Sequence, residues 1–222
     1  MRHDIHLEGF NVRLRPVRTA DAAFITWLRN LDYVKGRVGD SAQSVRVQEA
    51  WLKAYFKRAG DYYFIVETLG GISLGTHGIY DVAGSSAEKG RHIMRPEVVA
   101  GLPNGILLID YAFKKMRLTQ IRSNCVSTNI PLHSLHRKCG FQRVGLKQAA
   151  QMIDGQPVDL VQYLLTAEDW AKVRDPLLPL ANLAAAQVLD WEKTQSGRTQ
   201  PWEENNKPTD SKPGYPVAGG EF

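Results

Sequence analysis

The stretch from Ile106 to Leu118, ILLIDYAFKKMRL, limits the possible folds more than any other part of this chain. Its apolar residues fall on nearly every side of a helix, so the helix it forms must be a buried one. Lys114, Lys115 and Arg117 gather in its last turn, where cations suit the helix dipole. Upstream, DYYFIVET and ISLGTHGIYDV read as a hairpin about the Gly70-Gly71 turn. A polar turn, AGSSAEK, then leads into the strand GRHIM, which Pro96 ends. Downstream, TQIRSNCV reads as a strand with Asn129 just past its end. Pro131 suits the first position of a helix and Gly140 its stop, so PLHSLHRKC is a short helix. FQRVGLKQAAQMI and VDLVQYLL flank Asp154-Gly155, a second hairpin signal.

The remaining elements follow from caps and periodicity. FNVRLRPV alternates apolar and basic residues as a strand does, Thr19 caps a helix ADAAFITWLRN, and Ser44 opens VRVQEAWLKAYFKR. Thr166–Asp169 resembles a capping box for a final helix, and DPLLPLANLAAAQVLDWEK reads as a further helix packed outside. The order predicts an α/β (α+β) fold, a mixed and mostly antiparallel central sheet with helices on both faces. Residues 1–174 form the domain, 175–194 a helical extension, and 195–222, rich in Pro, Gly and polar residues, a flexible tail.

A hydrophobic fraction of 43% is enough to bury a core and rules out global disorder. MRHDIHLEGF has no signal-type apolar run, and the most apolar run, Ile106–Phe113, is interrupted by Asp110, so no membrane span is expected. Cys125 and Cys139 have neither disulfide-framework nor metal-ligand spacing, which suits a reducing cytoplasm. A net charge of +5, spread along the chain, favours an anionic ligand but is too mild for nucleic acid.

From AEKGRHIMRPE through GILLIDYAFKKMRLTQI to NIPLHSLHRKCGF the sequence resembles the GNAT superfamily of acyl-CoA-dependent N-acyltransferases, in particular its ribosomal-protein alanine and aminosugar N-acetyltransferases. The similarity spans roughly residues 10–170; its most specific parts are YAF–M–L–I and an Asn followed eleven residues later by Gly-Phe. The family's Gln/Arg-x-x-Gly-x-Gly/Ala loop is here read onto VVAGLPNG, with Gly101 and Gly105 four apart.

The resemblance implies acetyl-CoA as co-substrate, no metal, and direct transfer to the primary amine of a small molecule such as a nucleotide-linked amino sugar. A protein N-terminus or small amine is the alternative acceptor, and a non-catalytic CoA-binding scaffold the alternative class; a homodimer is compatible with either. With Gly101 in the loop, amides from about Asn104 through Gly105 and Ile106 to Leu107 would cradle the CoA diphosphate, as free amides at a helix start bind anions, against a plain turn shaped by Gly101, Pro103 and Gly105 with Asn104 capping the helix. Ile93, Met94 and Arg95 would pair with pantetheine, while Asn129 and Lys138 would meet cofactor. Glu88 is the candidate base that frees the amine, against an ordinary turn carboxylate. His136 takes the position of a family Tyr that protonates the thiolate, against a packing residue. His77 and His92 would line the acceptor pocket, and His133 has no role beyond the surface.

Overall fold

The computed structural model describes residues 3–39 and 44–204 of the 222. Eight strands form one sheet: β1 (Leu7–Gly9), β2 (Val12–Pro16), β3 (Tyr62–Thr68), β4 (Ser73–Ala83), β5 (Ser86–Met94), β6 (Gln120–Val126), β7 (Gln142–Ile153) and β8 (Gln156–Thr166). The spatial order is β1-β2-β3-β4-β5-β6-β8-β7, antiparallel throughout except where β5 meets β6. That is the mixed, mostly antiparallel sheet the sequence predicts.

Helices cover both faces. On one, α3 (Gly101–Lys114), α4 (Ile130–Lys138) and α5 (Ala167–Thr194) pack on a core that includes Leu14, Phe64, Leu108, Ile121 and Trp170. On the other, α1 (Ala22–Arg29) and α2 (Val45–Tyr55) enclose Phe24, Leu28, Leu52, Tyr63 and Ile65. As expected, α3 is buried along most of its length, from Leu102 to Ala112.

Local chemistry explains the boundaries. Ser44 Oγ accepts the Val47 amide at α2, Asn129 Oδ1 the Leu132 amide at α4, and Thr166 Oγ1 the Asp169 amide at α5. Gly140, with φ +81°, stops α4 in the left-handed conformation that glycine adopts without strain. Asp154 and Gly155 both have positive φ, the turn that matches the twist of the β7–β8 hairpin. Thr19 lies in a 3-10 turn ahead of α1, not at its cap; Asp21 instead accepts the Arg18 amide (2.6 Å) and pairs with Arg15 (2.8 Å).

Two expectations are corrected. No boundary exists at 174/175, because α5 runs unbroken through it with Pro176 and Pro179 inside. It is tied at both ends: Trp170 Nε1 and Arg174 Nε donate to Asp110 of α3, and Glu192 accepts from Gly70 and Thr68 of the β3–β4 turn. Nor is the segment after Gln195 loose throughout: Gln200 is buried, and Trp202 of the short α6 (Pro201–Glu204) packs against Phe24 and Trp27. The remainder of the expected flexible tail, from 205, lies outside the described residues.

Candidate active site

The site is made by a gap in the sheet. β5 and β6 run parallel but pair only at Ser86–Gln120, Ala87–Ile121 and Glu88–Arg122. Beyond Glu88 the strands part, while β5 stays paired to β4 as far as Met94. A bulge at Arg91, with φ +53°, bends β5 in this stretch. The backbone edge from Lys89 to Met94 therefore faces the gap instead of a neighbouring strand.

Two adjoining cavities occupy the gap. One, of about 300 Å³, runs from Tyr33 and Val34 of the α1–α2 loop to Pro131 and Leu135 of α4, with His92 to Pro96 as its floor. The other, of about 270 Å³, reaches through the sheet past Glu88, Lys89, Arg91, Ser123 and His136. Arg37, His92, Ile93, Asn129 and Leu132 border both. Four cationic side chains, Arg29, Arg37, Lys89 and Arg91, line the second cavity against one carboxylate, Glu88. Arg91 is neutralised by Asp61 (2.5 Å) and lies over the Tyr80 and Tyr63 rings at 4.5 and 5.0 Å.

Glu88, His92, Ile93, Met94, Arg95, Asn129 and His136 do come together here. Glu88 Oε1 accepts the Tyr80 hydroxyl at 3.0 Å. Asn129 caps α4 and donates to the Arg37 carbonyl (3.3 Å), so it straps the α1–α2 loop to α4 between the cavities. The Met94 carbonyl, at the end of the free edge, accepts the Tyr33 hydroxyl.

Other assignments change with the structure. α3 starts at Gly101, so Gly105 and Ile106 lie inside the helix and the Asn104 amide already donates to the Ala100 carbonyl (3.2 Å). Pro103 fits this first turn because its missing N–H is one the turn leaves unpaired anyway. The free helix-start amides are those of Gly101 and Leu102, and the connection between strand and helix is Arg95 to Ala100. A Gln/Arg-x-x-Gly-x-Gly/Ala pattern placed on that connection begins at Arg95, with Val98 in place of glycine and Ala100 at its end.

The Asn104 side chain faces inward and is fully buried. Its Nδ2 donates to the Ala100 and Gly101 carbonyls, which leaves Oδ1 to accept from His77 Nδ1 at 2.6 Å. His77 therefore carries its proton on Nδ1. It is wholly enclosed under α3 and stacks on His92 at 4.2 Å, so it cannot line an acceptor pocket. Among the described residues, the Nε2 atoms of both rings find no hydrogen-bond partner. Burial holds both imidazoles well below their usual pKa, and the neighbouring Lys89 charge pushes the same way. Lys138 is exposed on the last turn of α4, outside both cavities.

Arg95 is not a solvated charge. It is 6% exposed, with its guanidinium 4.9–5.4 Å from the rings of Trp27, Trp191 and Trp202 and Nη1 donating to Gln200 (2.8 Å). Burial lowers its pKa from the ordinary arginine value, with Glu97 opposing. His133 is not confined to the surface either: Nδ1 meets the Tyr163 hydroxyl (2.8 Å) and Nε2 the Val126 and Ser127 carbonyls (both 3.1 Å).

His136 is poorly equipped to act as an acid. Its Nδ1 lies 2.8 Å from the Leu132 carbonyl, which can only accept, so the ring proton sits there. Nε2, 2.9 Å from Ser123 Oγ, is then a bare acceptor for the serine hydroxyl. Burial, helped by Lys89, pushes its pKa down to about 3, and the ring stays neutral at physiological pH. Sequence reasoning missed Lys89, Tyr33 and Arg37. Lys89 alone left a trace, at an inward-pointing position of SAEKGRHIM.

Among the described residues no helix is long and apolar enough to cross a membrane, and no group of three or more His, Cys, Asp or Glu could hold a metal. Several solved structures share the fold. The apo structure of FdhC, a nucleotide-linked sugar GNAT, is 22% identical with a TM-score of 0.65, over 82% of this chain and 99% of that one. Spermidine N-acetyltransferase from Vibrio cholerae, in complex with CoA and spermine, is 20% identical with a TM-score of 0.66, over 73% and 99%. A GCN5-related N-acetyltransferase from Brucella melitensis is 17% identical with a TM-score of 0.65, over 83% and 85%. No curated protein sequence matches the chain significantly. The family model of the GNAT acetyltransferase domain matches residues 11–142, a span that contains the parted strands, both cavities' strand floor and the α3 and α4 starts, and the chain therefore belongs to the GNAT acetyltransferase family.

Proposed function

We propose that this chain transfers the acetyl group of acetyl-CoA directly to a primary amine on an anionic small molecule, with a nucleotide-linked amino sugar as the acceptor class. The observation that carries this reading is the gap itself, a free strand edge opening onto a cavity where Arg29, Arg37 and Lys89 face one carboxylate, Glu88, the charge of Arg91 being met by Asp61. The residues present fit acetyl-CoA: the edge from Lys89 to Ile93 offers backbone groups to pantetheine amides, and the Gly101 and Leu102 amides offer donors to a diphosphate. When bound, acetyl-CoA supplies the activated acyl group.

Glu88 receives the proton that the acceptor's ammonium must lose before it attacks. Tyr80 orients that carboxylate through their 3.0 Å hydrogen bond. The cation-rich wall favours an acceptor bearing phosphate or carboxylate and disfavours a polycationic amine by like-charge repulsion. FdhC, described as a nucleotide-linked sugar GNAT, is among the solved structures with this fold.

The test is acceptor-dependent thiol release from acetyl-CoA across amino-sugar nucleotides, N-terminal peptides and polyamines, with acetyl-CoA binding followed by calorimetry. Turnover with the sugar nucleotides and a drop of about 10²–10⁴-fold in Glu88→Gln support the reading. Turnover confined to polyamines refutes the acceptor class. Binding of acetyl-CoA without thiol release points to the scaffold.

A further inference from the structure

Lys89 is the most anomalous charge in the described structure. Its side chain is 4% exposed, it lies one residue beyond the last β5–β6 pair, and it borders the second cavity. A buried ammonium is ordinarily matched by a carboxylate. Here, among the described residues, none pairs with it. Nζ instead lies 5.6 Å from the Phe141 ring centroid, and the titratable groups around it are Cys125 of β6, Cys139 after α4, His136 of α4, His92 of β5 and His77 of β4. All of these are neutral at physiological pH, since burial pushes both thiols up and the three imidazoles down. An uncompensated buried charge destabilises the fold, and such groups concentrate where chemistry is done.

Acyl transfer from a thioester leaves a thiolate that departs more easily when protonated. His136 Nε2 has no proton to give, and the Ser123 hydroxyl is engaged with it. Burial raises the Cys125 thiol to about 12, and arginines do not release protons near neutrality. We propose that Lys89 is the catalytic acid of the acetyl transfer, giving an Nζ proton to the CoA sulfur as the carbon–sulfur bond breaks. This rests on the acetyltransferase reading above. Glu88 takes one proton from the ammonium and passes it to solvent. The neutral amine then forms its bond to the carbonyl carbon and loses its second proton to the freed Glu88 carboxylate, the sulfur leaves as thiol with the Lys89 proton, and neutral Lys89 regains a proton from solvent. Burial lowers Lys89 to about 8, a value suited to giving and regaining that proton near neutral pH.

Three variants and two readouts test this. Lys89→Met is expected to lower kcat about 10²–10⁴-fold, to leave acetyl-CoA affinity nearly unchanged, and to abolish a fall in kcat above about pH 8. Lys89→Arg keeps a charge but not a transferable proton and stays slow, whereas Lys89→Ala partly recovers on adding a small primary amine. Independently of turnover, the ultraviolet thiolate absorbance of bound CoA should titrate at least about one pH unit lower in the wild type than in Lys89→Met. Wild-type rates in Lys89→Met or Lys89→Arg, or equal thiol titrations, overturn the assignment. A wild type that releases no thiol with any acceptor sinks the acetyltransferase reading instead, and the CoA titration still decides for or against Lys89.

Discussion

Asn104 should anchor the start of α3, and its replacement gives a sharp test of the geometry around the gap. In Asn104→Leu, a change of similar size, His77 Nδ1–H loses its only acceptor while remaining fully buried. The Ala100 carbonyl keeps the backbone amide of residue 104 at 3.2 Å, so the penalty falls on the histidine. Removing the partner of a buried donor and leaving that donor unsatisfied costs about 1–3 kcal/mol, which is the loss expected here. For a domain of this size that is a fall in Tm of about 2–12 °C. The first turn reads Gly-Leu-Pro-Asn-Gly, in which all but Leu102 are poor helix formers, so a weakened anchor should also reduce acetyl-CoA affinity. Differential scanning calorimetry on Asn104→Leu, His77→Phe and the double variant separates the pair from its surroundings. The double variant should recover at least about 1 kcal/mol relative to the sum of the singles, because two apolar partners leave nothing unpaired. A single Asn104→Leu within about 0.5 kcal/mol of wild type, or strictly additive singles, would refute the proton assignment.

Stability should depend on pH at both ends. The folded pKa values of His77, His92 and His136 lie below the unfolded 6.5, so the unfolded chain binds more protons and Tm should fall as pH drops from about 6.5, for His136 down to about 3. Lys89 is lowered from 10.5 to about 8, so unfolded chains also bind more protons there and stability should rise between those values; Lys89→Met should flatten that rise and melt higher at pH 7. His136→Phe should cost about 1–3 kcal/mol through the Ser123 hydroxyl, yet leave the alkaline limb of kcat in place; loss of that limb would restore His136 as the acid. Trp202→Ala should lower Tm by uncovering Arg95 and Phe24, and should change tryptophan fluorescence because the Trp27 ring lies tilted against the same ring at 4.9 Å.

Much of the sheet was readable because its signals are local. The Asp154-Gly155 turn, the Ser44 and Thr166 caps and the Gly140 stop all act within a few residues, and each sits as its sequence reads. The start of α3 was misread because Gly101, Pro103 and Gly105 look like a loop, and only the long-range contact of Asn104 with His77 shows them as helix. Glu88, His92 and Met94 could be brought to the gap through the family resemblance, since their strand ends there. Lys89 could not, because a lysine on a strand reads as solvated by default and its burial is set by Phe141, Cys125 and Cys139 from later elements. Arg95 escaped for the same reason, its environment depending on Gln200, 105 positions away.

The wrapping of Arg95 has a consequence for how the protein is made. Trp191, Gln200 and Trp202 enclose a strand end that leaves the ribosome about a hundred residues before them, a delay of roughly 5–20 s at ordinary elongation rates. Until they arrive, the guanidinium and the faces of Phe24 and Trp27 stay open to water, and the strand end that borders the gap is held by β4 and the Tyr33 hydroxyl. Non-local closures of this kind are slow to form. The half-made protein is therefore a sheet with one unsealed corner, and early termination before Trp191 would leave a species that carries every residue of the gap but exposes an apolar, aggregation-prone seam beside it.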